Sequence, residues 1–208
     1  LSVIPKISNK FLSKHKSVKL KLISCNSNEV LAALERFEID VGMTYLNNEP
    51  LGRLKSLPLY SESYCLMTHV KNKSNLSGKI CWSDLSQFRL CLLTNDMQNR
   101  RILNDRFYKE KIEINPLLEA NSLLALLTHI QTGEWSSVLP LSLVGLFAQN
   151  KEIVSIPIEK PQISHKIGLV ALQRDPTTPL ITAFLKEAEL VVREVKKERP
   201  EATTVFKF

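Results

Sequence analysis

The chain has 208 residues, room for one large domain or two small lobes, and 44% hydrophobic with 24% charged content excludes a disordered or fibrous protein. A net charge of +7 favours acidic partners, anionic metabolites and nucleic acid among them, without choosing between them. No apolar run reaches the roughly 18 residues of a membrane helix, and Leu1 to Lys6 lacks the layout of an export signal.

In chain order, Ile4, Ile7, Phe11 and Leu12 recur at helical spacing. Lys6, Lys10, Lys14, Lys16, Lys19 and Lys21 line this helix and the run after it, and read as a solvated face. The alternation Val18-Leu20-Leu22 predicts a strand. Asn26 or Ser27 can cap the next helix, with Glu29 placed for a capping box and Val30, Leu31, Leu34 and Phe37 on one face. Ile39 to Tyr45 is a second strand. The expected unit is strand, helix, strand of a parallel sheet, with a polar turn where free N–H groups could receive an anion.

After the turn-rich Asn47 to Gly52, strands are expected over Leu54–Leu59 and Tyr64–Thr68. A lobe boundary is placed in the polar run 70–78. Trp82 to Leu85 reads as a helical turn capped by Ser83. Arg89 to Leu93 is a strand buried on both faces. The polar Thr94 to Arg101 then leads into a helix carrying Ile102, Leu103 and Phe107. A third such junction, Asn121-Ser122, opens a helix that stops at Gly133. Strands over 137–140, 153–158 and 167–171, a short apolar helix over Leu141–Phe147, and a last helix with Thr178 as cap and Pro179 first complete the pattern. The charged end, Lys196 to Phe208, is expected to fray.

Cys25, Cys65, Cys81 and Cys91 have no metal-ligand spacing and lie in or beside apolar runs, so reduced, buried thiols of a cytoplasmic protein are expected. His15, His69, His129 and His165 accompany no nucleophile motif, and no phosphate-binding glycine motif occurs. No enzyme activity, cofactor or metal is expected.

Ile4-Pro5 with Phe11, Val18-Lys19-Leu20, Val30 with Leu34, Ile39-Asp40-Val41-Gly42, Leu57-Pro58-Leu59-Tyr60, Leu85, Glu119 with Ser122, Thr132-Gly133, Val138-Leu139-Pro140 and Ile167 to Val170 before Asp175-Pro176 together resemble the effector-binding domain of LysR-type bacterial transcription regulators. Each motif alone is only apolar pattern and turns; their order and spacing over nearly the whole chain carry the likeness. The runs Thr44–Gly52 and Cys91–Arg101 further resemble the regulators found beside formate dehydrogenase genes.

The resemblance implies an α/β fold of two Rossmann-like lobes with an interlobe cleft, like a type 2 periplasmic binding protein. Lobe one would be 1–70 plus 168–208, and lobe two 71–167. It implies a small anionic or carboxylate effector and a homodimer or homotetramer built on the helices at Ile4–Leu12 and Leu141–Phe147. Operator DNA would be bound only through a winged helix-turn-helix that is not in this sequence. The family's domain usually opens with a strand before the first helix, and this chain begins inside that helix. Carried onto this sequence, the effector contacts would be Ser27 flanked by Asn26 and Asn28, with Tyr45, Thr94, Asn95, Gln98, Arg100, Asn121 and Ser122. A stand-alone solute-binding protein of a transporter is the alternative on the same fold.

Overall fold

A computed structural model describes residues 3–47, 49–72, 78–146, 150–173 and 178–198. The elements begin α1 (Val3–Lys14), α2 (Ser27–Glu35), β1 (Gly42–Tyr45), β2 (Leu54–Glu62), β3 (Tyr64–His69), β4 (Cys91–Leu93) and α3 (Gln98–Glu110). They continue β5 (Leu118–Ala120), α4 (Leu123–Gln131), β6 (Ser137–Pro140), β7 (Ile153–Pro157), β8 (His165–Leu172) and α5 (Pro179–Glu198). The chain divides into two compact units: one takes the chain up to Ser61 and again from His165, the other runs from Glu62 to Ser164.

The first unit is a sheet of order β1-β8-β2 covered on both faces. Alternation along β8 assigns the faces. Leu169 packs with Val3, Ile7, Ala188 and Val191 of α1 and α5, and its neighbour Val170 packs with Val30 and Leu34 of α2. Gly42 lets α2 lie this close, since a Cβ there would stand 2.4 Å from Val30 Cγ1. Lys14 reaches the buried Glu187 at 2.7 Å and Lys10 pairs with Glu194, so two of the six clustered lysines tie α1 to α5 instead of facing only solvent.

Two expectations fail here. Residues 18–23 form no strand; Leu22 is 69% and Ile23 56% exposed. Alternation supplies an apolar edge, but a strand also needs a neighbour to bond, and none of the described residues pairs with this run. The parallel strand-helix-strand unit is likewise absent, because its first strand does not form; β1 instead runs antiparallel to β8, Gly42 opposite Val170 and Tyr45 opposite Ile167.

The second unit holds an antiparallel sheet, β6-β3-β7, and a parallel pair, β4-β5. Every residue of β3 except His69 is buried, and residues 62–70 pack with this unit because β3 bonds to both β6 and β7. β4 is buried along its whole length, as its unbroken apolar run foretold. Cys91 and Leu93 of this strand join Met67, Leu126, Ile130 and Leu139 in one core. The turn Trp82–Gln87 is a 3-10 helix whose cap position is Cys81, not Ser83; the Asp84 carboxylate accepts the Cys81 N–H at 2.7 Å. Residues Leu141–Leu146 also form a 3-10 turn, with Leu143 and Val144 in the core, so its apolar face is spent inside the unit. Phe147, the Asp175-Pro176 motif and the stretch beyond residue 198 lie outside the described residues. No described helix is long and apolar enough to cross a membrane.

Candidate functional site

The polar turns expected to hold an effector are built differently. Asn26 is the N-cap of α2: its Oδ1 accepts the Glu29 N–H at 3.0 Å, and Glu29 Oε2 accepts the Asn26 N–H at 2.9 Å. Asn28 points to solvent in the first turn. Ser27 is 9% exposed, and its Oγ makes no hydrogen bond to a described residue. Tyr45 is half-buried at the end of β1, its ring edge-on to His165 at 6.3 Å. Beside it Thr44 buries a hydroxyl that has no partner.

In the second unit the turn after β4 is held from several sides. The Thr94 N–H donates to Ala120 O at 3.1 Å, and Thr94 O accepts the Met97 N–H at 3.0 Å. Asn95 Oδ1 accepts from Asn104 Nδ2 at 2.8 Å. Gln98 Oε1 accepts from Arg101 Nε at 2.6 Å, and Arg101 Nη1 donates to Asp96 O at 3.0 Å. Met97 is the N-cap of α3 and offers no side-chain cap.

Arg100 does not serve as the anion contact expected of it. Its side chain is 7% exposed, with Nη1 donating to Leu93 O at 2.8 Å and to the Glu119 carboxylate, and Nε donating to Asn104 Oδ1 at 2.8 Å. A guanidinium desolvated to this extent must spend its donors inside the protein. Helical spacing could have shown this, since Arg100 lies on the buried side of the first turn with Asn99, Ile102 and Leu103. Asn99 was overlooked. It is 6% exposed, and both atoms of its amide lack a partner, as does the buried hydroxyl of Thr94. Asn121 is exposed, and Ser122 Oγ accepts the Ala125 N–H at a long 3.4 Å, so that turn is chiefly a helix cap.

The cysteines divide. Cys65 and Cys91 are buried, and burial pushes their thiols up to about 12 and about 11. Both are held as unreactive thiols, their sulfurs directed at Leu139 O and Ser136 O. Cys25 is exposed, contrary to expectation, because the run before it joins no sheet; partial burial and then Glu29 raise its thiol. Among the described residues no group of His, Cys, Asp and Glu is arranged to hold a metal.

Solved structures share this architecture. The regulatory domain of Synechocystis PCC6803 CcmR in complex with 2-PG matches with a TM-score of 0.80 at 18% identity, covering 91% of each chain. The effector binding domain of QuiR in complex with shikimate matches with a TM-score of 0.74 at 17% identity, covering 93% of this chain and 90% of that one. The fold is thus the type 2 periplasmic-binding-protein-like α/β fold. The chain belongs to the LysR substrate binding domain family, whose pattern matches residues 1–191. A probable nitrogen assimilation transcriptional activator of a Synechocystis strain is 26% identical over 146 residues, 69% of this chain and 47% of that protein. The chain spans about half the length of that relative.

Proposed function

We propose that this chain is the effector-sensing and self-associating part of a LysR-type transcriptional regulator, and that its effector is a small anion. One observation carries the reading: at the turn that opens α3, the Thr94 hydroxyl and both atoms of the Asn99 amide are buried with no hydrogen-bond partner among the described residues. Helix N–H groups and neutral hydroxyl donors suit a carboxylate or an inorganic oxyanion. Support comes from the family itself and from CcmR and QuiR, which were captured with 2-PG and with shikimate. The proposed effector contacts are Asn26 to Asn28 and Tyr45 in the first unit, and Thr94 to Gln98 with Asn121-Ser122 in the second.

In the whole protein, effector binding biases the packing of homodimers or homotetramers, and that packing spaces the DNA-binding heads. Operator contact belongs to those heads, in the cytoplasm. From the likeness of the runs Thr44–Gly52 and Cys91–Arg101, we propose further that the parent regulator belongs with those encoded beside formate dehydrogenase genes.

A thermal-shift screen of 2-PG, shikimate, formate, phosphate and sulfate tests this. At least one anion should raise the melting temperature of the wild-type chain. Ser27→Ala and Thr94→Ala should each cut that rise by half or more. An anion that stabilises both variants as it does the wild type removes these turns from the site.

A further inference from the structure

The Arg100 guanidinium reaches three separate segments of the second unit. Through Leu93 O it holds the residue just before Thr94. Through Asn104, which donates to Asn95, it holds the next residue of the same turn. Through Glu119 it holds β5, two residues before Asn121. A single buried cation thereby fastens the ends of two strands that each lead into a polar turn and a helix.

We propose that Arg100 is a positioning residue, coupling the Thr94–Gln98 turn to the Asn121–Ser122 turn through Glu119. The proposal rests on the reading that these turns meet the effector, and it adds that whatever settles one turn also settles the other. The backbone bond from Thr94 N–H to Ala120 O is a second tie between the same strands. It fixes their register but does not reach α3, whereas the guanidinium sits on the first turn of α3 itself. Loss of Arg100 would leave Leu93 O and the Glu119 carboxylate short of a donor on opposite sides of the link. Glu119, 38% exposed in its side chain, is the end of the link that water can reach.

The test is amide hydrogen exchange on the ligand-free chain as wild type, Glu119→Gln, Arg100→Met and the double variant. Three protected amides report the two turns: Met97 (to Thr94 O) and Arg101 (to Met97 O) for the first, and Leu126 (to Ser122 O) for the second. Glu119→Gln should speed exchange about tenfold at Met97 and Arg101, because its side chain reaches that turn through Arg100 while the backbone tie at Ala120 is left in place. Arg100→Met should speed Leu126 by a similar factor, and the double variant should exchange no faster than Arg100→Met. Amides of β3 should not change. Effects of Glu119→Gln confined to β5 and α4, or effects of the two substitutions that multiply, would overturn the coupling. If Arg100→Met does not fold, Glu119→Gln alone decides at Met97 and Arg101. Because no ligand is added, failure here leaves the anion reading standing, and a failed anion screen leaves the coupling standing.

Discussion

The two units begin a helix in opposite ways. In the first, Asn26 and Glu29 close the start of α2 with the chain's own side chains. In the second, Met97 stands at the N-cap of α3 with no oxygen to offer and makes no side-chain cap bond. Order at that turn comes from behind, where Arg100 and Arg101 bind the carbonyls of Leu93 and Asp96. A capped end has satisfied its own donors and gains little from an outside acceptor. An uncapped end held in a fixed frame keeps its donors oriented for one. In the proposed reading α3 is the anion seat, and Ser27 contributes a hydroxyl beside a helix that is already closed.

The largest expected effect strikes the frame of the first unit. Gly42→Ala places a Cβ 2.4 Å from Val30 Cγ1, so α2 must shift off β1. Urea unfolding should show a loss of about 2 kcal/mol. An unchanged midpoint would mean that α2 is not seated on β1 as closely as drawn. A smaller loss, about 1 kcal/mol, is expected for Asn26→Ala, which removes the capping box. The same urea titration should read it as a lower midpoint at an unchanged slope. The smallest effect is expected for Met97→Asp, which adds a side-chain cap to α3 but withdraws Met97 from the core it packs against, so the two contributions offset to within about 1 kcal/mol. It should also weaken the anion-induced thermal shift, since a carboxylate then stands at the start of α3. An undiminished anion response would show that the anion sits elsewhere.

Much of the architecture was legible because its signals are local. The 3.6-residue periodicity marked α1, α2, α3 and α4, and the unbroken run Leu90 to Leu93 marked a buried strand. The pairing of Asn26 with Glu29 is a three-residue pattern that the backbone of one helix turn satisfies by itself. The Val18–Leu22 alternation misled because it reports an edge, not whether another strand lies beside it. Ser83 misled because Asp84, one residue on, captured the Cys81 N–H first. For the candidate site, the polar turns were visible as composition, while the role of each side chain in them was not.

By itself, the sequence determined the helices, the capped start of α2 and the polar character of each strand-to-helix turn, since all of these follow from residues within a turn or two of one another. Only the tertiary structure decided that Arg100 faces inward, that Thr94 and Asn99 bury polar atoms without partners, and that β1 pairs antiparallel with β8. Those outcomes depend on Glu119, Ala120 and Val170, residues far along the chain. A charge or hydroxyl takes its role from the acceptor that folding brings to it.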